Sequence, residues 1–121
     1  MDSASATNST KNVTKVTTHD GVVKIMKNAR HFKYSHKYHT YKDIVKHHCG
    51  DCWAMSAYLY ESLKRYKIHT RIIQYKTHWS ARHRSVQYRL NNHWYNMPYR
   101  TYFYTNMFNN TKSSGLVITK C

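Results

Sequence analysis

The hydrophobic period changes once along this chain, at Lys67, and that change limits the folds open to it. Before Lys67, apolar residues recur at helical spacing: Val22, Met26, Ala29 and Phe32, then Met55, Leu59, Leu63 and Tyr66. Such a repeat is the buried stripe of a helix. The first group predicts a helix over about Val22–His31. The second predicts a longer helix after Asp51, with Glu61, Lys64 and Arg65 nearer its other side. Between them, Thr40-Tyr41-Lys42-Asp43 reads as a helix start, with Thr40 as N-cap and Asp43 near the reciprocal capping position. That short helix is expected to run to about His48 and stop at Gly50, the residue type that most often ends helices.

Beyond Lys67 the period falls to two. Ile68–Tyr75 suits a strand, through Ile72, Ile73 and Tyr75. His83–Leu90 alternates, with Arg84, Val86, Tyr88 and Leu90 on one face and His83, Ser85, Gln87 and Arg89 on the other. Asn91-Asn92 tolerates the positive φ of a two-residue turn, so His93–Pro98 is expected to return antiparallel. Further strands are expected near Tyr99–Tyr104 and Leu116–Thr119. Helices first and a sheet meander second make the fold class α+β.

A length of 121 residues allows one domain and little more. The 12 Tyr, 3 Trp and 3 Phe supply bulk for a core, which argues against global disorder. Met1–His19 is rich in Ser, Thr and Asn and reads as a flexible tail or linker ahead of a domain over residues 20–121. No apolar run approaches the roughly 20 residues that span a bilayer, and the first residues lack the apolar stretch of a signal peptide. Sequons at Asn8, Asn12 and Asn109 are a weak sign of surface exposure. The 20 Lys and Arg against 5 Asp and Glu give a formal charge of +15. That implies an anionic partner, whether nucleic acid, membrane or cell wall, and names no reaction.

Chemistry concentrates in His47-His48-Cys49-Gly50-Asp51-Cys52-Trp53-Ala54-Met55-Ser56. With Asp51 as N-cap, Cys52 falls in the first turn of the longest helix, where unpaired amides and the helix dipole are expected to lower a thiol's pKa. A nucleophilic Cys also needs a base, and His83 opens the alternating strand after the polar loop Lys76–Arg82. A Cys at a helix start facing a His at a strand start is the arrangement of papain-like thiol enzymes. Cys49 and Cys52 also spell C-x-x-C beside two His. A redox pair of this kind normally follows a strand, whereas a helix precedes this one, and a zinc site lacks a second tight pair. No metal and no cofactor are therefore expected. Cys49 is read as a bystander, or as a thiol that traps Cys52 on oxidation.

Gly50-Asp51-Cys52-Trp53-Ala54, then Leu59 and Leu63, Ile68-x-x-Arg71-Ile72-Ile73, His83 and Trp94 resemble the transglutaminase-like core. More narrowly, Gly-Asp-Cys-Trp-Ala-Met-Ser, Arg71 to Tyr75, His83 to Gln87 and Trp94 through Arg100 resemble the pseudomurein endoisopeptidase branch, from methanogenic archaea and their viruses. The resemblance covers about Val22 to Arg100. It implies a cysteine peptidase in which Cys52 attacks an isopeptide carbonyl to form a thioester and His83 carries the proton to the leaving amine. The Cys52 amide would be one oxyanion donor, with Tyr75 or Trp79 as a candidate second. The family's third residue, an Asp four places after the strand Trp, is Pro98 here. Asn96 is the substitute orienter of His83. If Asn91-Asn92 is the turn, however, Asn96 pairs with Gln87, about 13 Å along the strand from His83, and a Cys52–His83 dyad is the fallback.

The expected partners are a cell-wall peptide substrate and the anionic wall surface, with location outside the cell or directed to the wall. Nucleic acid is disfavoured as a partner, and the residues say nothing of oligomeric state. Two alternatives stand beside this reading: a transglutaminase-type acyl transferase on the same Cys and His, and a non-catalytic basic aromatic module that binds nucleic acid. Arg71 is read as structural, pairing near the active site or stacking on an aromatic ring rather than clamping substrate, with Trp94 and Tyr99 as packing residues.

Overall fold

Thr17 opens the first helix as its N-cap, the hydroxyl accepting the Asp20 amide at 3.1 Å and so satisfying a donor the helix leaves unpaired. In this computed structural model, which describes residues 17–104 and 106–121, helix α1 runs over Thr18–Ala29. Thr18 and His19, assigned to the tail on composition, belong to that helix instead. Composition does not distinguish a capping Thr from its polar neighbours. Residues 1–16 of the expected tail, with the Asn8 and Asn12 sequons, lie outside the described residues.

Strand β1 (Lys33–Tyr34), helix α2 (Tyr41–His47) and strand β2 (Cys49–Gly50) follow, with β2 parallel to β1. Thr40 caps α2 as expected, its Oγ1 accepting the Asp43 amide at 3.1 Å. The helix does not end at Gly50. His48 terminates it in the left-handed region, φ 59°. Gly50 serves a different need, because a Cβ there would lie 2.7 Å from the Cβ of Ala54. Helix α3 (Cys52–Arg65) then starts on Asp51, whose Oδ1 accepts the Ala54 amide at 3.0 Å. Met55, Leu59 and Leu63 are buried along its length, while Tyr66 is half-buried.

Strands β3 (Thr70–Tyr75), β4 (His83–Leu90), β5 (His93–Asn96) and β6 (Leu116–Lys120) form one sheet in the order β5-β4-β3-β6, every neighbour antiparallel. The protein is thus α+β. Asn91 and Asn92 make the expected turn with φ of 52° and 67°, and Gln87 pairs with Asn96. Two expectations fail. The last strand joins β3, not its predecessor, so the sheet is not a meander. Residues near Tyr99 form a helical turn, α4 (Tyr99–Tyr102), in place of a strand. Pro98 offers no N–H to extend the ladder, and the Val86 amide donates to the Tyr99 hydroxyl at 2.9 Å, fixing the chain there. A further turn, α5, spans Asn106–Asn109.

One core joins these layers. Val22, Ile25, Met26 and Ala29 of α1 and Met55, Leu59 and Leu63 of α3 cluster with Ile72 and Val86 of the sheet. Met97, Tyr99, Phe103 and Phe108 close the cluster from the C-terminal segments. The other face of β4 is buried as well, since Ser85 and Gln87 are each 1% exposed. Gln87 donates to the Ser113 carbonyl at 2.8 Å, which holds the segment after α5 against that face.

Candidate active site

β5 ends opposite Gln87, so the first half of β4 has no strand on that edge. Its backbone groups must still be satisfied, and they take partners from other elements. The Val86 amide donates to the Tyr99 hydroxyl, and the Val86 carbonyl accepts the Met97 amide at 3.0 Å. Two residues back on the same edge, the Arg84 amide lies near enough to Cys52 to favour its thiolate. The start of α3 is thereby set beside Arg84 of β4. Trp53 fastens the junction from beside it: its Nε1 donates to the Arg82 carbonyl at 2.8 Å. The Arg84 guanidinium lies 3.7 Å from the centre of the Trp53 ring and donates to Gln74 Oε1 at 3.0 Å, a cation–π contact supported by an amide.

His83 is 3% exposed, and its Nε2 is buried with no hydrogen-bond partner. The backbone of Asn110 lies beside the ring and favours its charged form. Tyr75 packs edge-on to the ring with centroids 5.3 Å apart. Its hydroxyl bonds to Ser85 Oγ at 2.9 Å and the Asn110 carbonyl at 3.0 Å, and accepts the Lys112 amide at 3.1 Å.

Asn96 is engaged elsewhere than at His83. Asn96 Oδ1 accepts from Gln87 Nε2 at 2.8 Å, four residues along β4 from His83, as the turn register required. Of the two suggested oxyanion donors, Tyr75 is committed to the network that holds Asn110. Trp79 is 54% exposed and lines an open cleft of about 400 Å³ with Arg100, Asn109 and Asn110. Asn110 carried no signal in the sequence, because any residue type supplies a carbonyl. Tyr34 was also missed. It lies opposite Gly50 in the β1–β2 pair. Burial first, then the negative charges of Cys52 and Asp51, push its hydroxyl up to about 12. It thus stays protonated, and its hydroxyl hydrogen-bonds to His36 Nδ1 at 3.3 Å.

Cys52 is 9% exposed, and burial pushes its thiol above the ordinary value, with the Asp51 carboxylate adding to the rise. The amides of Arg84 and of Cys52 itself oppose this, as does the Arg84 guanidinium, without reversing it. The expectation that the helix start lowers this pKa is corrected: desolvation of the charged form outweighs the dipole. Burial also moves His83 below its ordinary value, against the Asn110 backbone. At rest Cys52 is a neutral thiol and His83 a neutral imidazole, with no hydrogen bond from Nε2 to the sulfur.

All three cysteines are free thiols, Cys49 half-buried in β2 and Cys121 exposed. Among the described residues, no group of three His, Cys, Asp or Glu gathers at metal-binding distance. Asn109, the third sequon, is part-buried and donates through Nδ2 to the Phe103 carbonyl at 2.7 Å, so its amide serves the fold. No helix among the described residues is long and apolar enough to cross a membrane. Compared with known proteins, the chain matches no family model and no curated sequence.

Proposed function

We propose that the protein is a cysteine endopeptidase of the transglutaminase-like type, cleaving isopeptide bonds in cross-link peptides of an archaeal pseudomurein wall. The reading rests above all on one observation: a buried thiol opens α3, Trp53 beside it is bonded to the Arg82 carbonyl just before β4, and the first residue of β4 is a buried His83 whose Nε2 has no hydrogen-bond partner. A neutral pair of this kind works by general-base catalysis. Nε2 takes the thiol proton as sulfur attacks the carbonyl carbon, and the negative charge moves to the carbonyl oxygen. As charge passes from sulfur to that oxygen, the amide of Cys52 at the helix start stabilises the oxyanion. On collapse the C–N bond breaks, Nε2–H protonates the leaving amine and a thioester remains. Water, deprotonated by the same nitrogen, then cleaves the thioester and restores the thiol. The Asn110 backbone beside the ring favours the imidazolium formed in both halves. Acting outside the cell or at its wall, the enzyme is drawn to anionic polymer by its charge of +15.

The test is cleavage of a synthetic peptide carrying an ε-linked lysine isopeptide bond, with the thioester intermediate trapped and mapped by mass spectrometry. Cys52→Ala is expected to abolish turnover and the adduct, and His83→Ala to slow turnover by about 10²–10⁴-fold, both with unchanged circular dichroism. Adding a primary amine separates hydrolysis from acyl transfer, since an acyl transferase would give amide product faster than acid. Undiminished cleavage by Cys52→Ala protein would sink the proposal.

A further inference from the structure

Glu61 is the last acidic residue of the chain, while Lys and Arg continue to Lys120. The sheet therefore carries cations with no side-chain carboxylate of its own to meet them. The side chains that meet Asp51 and Glu61 among the described residues, His39 and Lys64, lie in the helical half. At the end of β4 remote from His83 the consequence is concentrated. Arg71 lies 4.2 Å from the centre of the Trp94 ring, and Arg89 lies 5.6 Å from the same ring. Arg71 Nε is anchored on Gln87 Oε1 at 2.8 Å, so one guanidinium is pre-positioned. The indole edges a cleft of about 300 Å³ whose other lining residues are His69, Arg89, Lys120 and Cys121. Burial, and then the charge of Arg89, hold the Arg71 guanidinium below its ordinary value, as expected of like charges crowded together.

We propose that Arg71, Arg89 and Trp94 form a second binding site, for a carboxylate group of an acidic peptide or polymer. Two guanidiniums around one indole gain from an anion between them, and their planar N–H forks match a carboxylate. The ring face is already occupied by Arg71, which leaves little room for a stacked base and disfavours nucleic acid as the ligand. Arg89 stands six residues beyond His83 on β4, about 20 Å along the strand. The site thus holds the polymer away from the bond being cut. Only the identity of that polymer as wall substrate rests on the peptidase reading.

The measurement is calorimetric titration of the protein with a short oligoglutamate peptide, inorganic phosphate and a single-stranded oligonucleotide in parallel. Oligoglutamate is expected to bind, and Arg89→Gln and Arg71→Gln each to weaken it about tenfold. Arg71→Lys, which keeps the charge and loses the fork, should also weaken binding. Arg89→Gln, at an exposed position, should leave cleavage of a small neutral isopeptide unchanged. Cys52→Ala protein should bind oligoglutamate as the parent does, so loss of the peptidase reading would leave this result standing. Equal affinity in Arg89→Gln and the parent would overturn the site, and so would binding of phosphate or oligonucleotide in preference to oligoglutamate.

Discussion

Asp51 acts on Cys52 in two opposed ways. Its Oδ1 caps α3 and so holds the Cys in the first turn, while Oδ2 pairs with His39 Nδ1. Its negative charge, however, disfavours the thiolate next to it. Asp51→Asn separates the two effects, because Asn caps a helix about as well as Asp. Alkylation of Cys52 by iodoacetamide, followed by peptide mapping, should become faster at neutral pH, with its pH midpoint moved down. Stability should change by less than about 1 kcal/mol, since the lost His39 pair is exposed on one side. A midpoint identical to the parent's would show that the carboxylate is not felt at the sulfur. The residue type and position of Cys52 were legible in the sequence, but its protonation was not. Burial, which decides it, depends on β4 arriving from elsewhere in the chain.

Between elements, the close approach of β2 to α3 turns on Gly50. A methyl group there would lie 2.7 Å from Ala54 Cβ and 3.4 Å from Ile44 Cβ, inside contact distance for the first. Gly50→Ala should therefore cost about 1–3 kcal/mol through overpacking, read as a lower denaturant midpoint with unchanged slope. The cause can be isolated. Ala54→Gly removes the opposing methyl and alone costs about 1 kcal/mol as a helical glycine, yet combined with Gly50→Ala it should cost less than the sum of the two. Additive costs would mean that Gly50 is required for its backbone and not for space. The same contrast explains which elements could be read in advance. Thr40, Asp51 and Asn91-Asn92 set their caps and turn with atoms a few residues away, so local sequence suffices. The pairing of β6 with β3, and the helical turn at Tyr99, depend on an open sheet edge and on the Val86 amide. Neither partner is a neighbour in sequence, and the aromatic run after Pro98 reads as a strand without them.

The whole molecule is one strongly positive body, formally +15 before any of its 10 His takes a proton. Acidification adds charge to a chain that already repels itself, and that common effect is screened beyond about 8 Å at physiological salt. His83 adds a separate term of different origin. Burial lowers its pKa in the folded protein from the ordinary 6.5, so between those two values the unfolded chain holds the proton and the folded one does not. Stability then rises with pH across that window; it is present above 6.5 and lost as pH falls toward the folded value. His83→Gln cannot take the proton in either state. Denaturant midpoints measured from about pH 7.5 down to about pH 5.5, a range that brackets an ordinary His, should fall more steeply for the parent than for this variant. Raising salt should flatten the part common to both proteins and leave the difference between them, because a desolvation effect is not screened by mobile ions. Parallel slopes at every salt concentration would show instead that His83 is protonated as readily folded as unfolded. An imidazole of that kind would be in contact with water, and the neutral pair on which the general-base step rests would be lost with it.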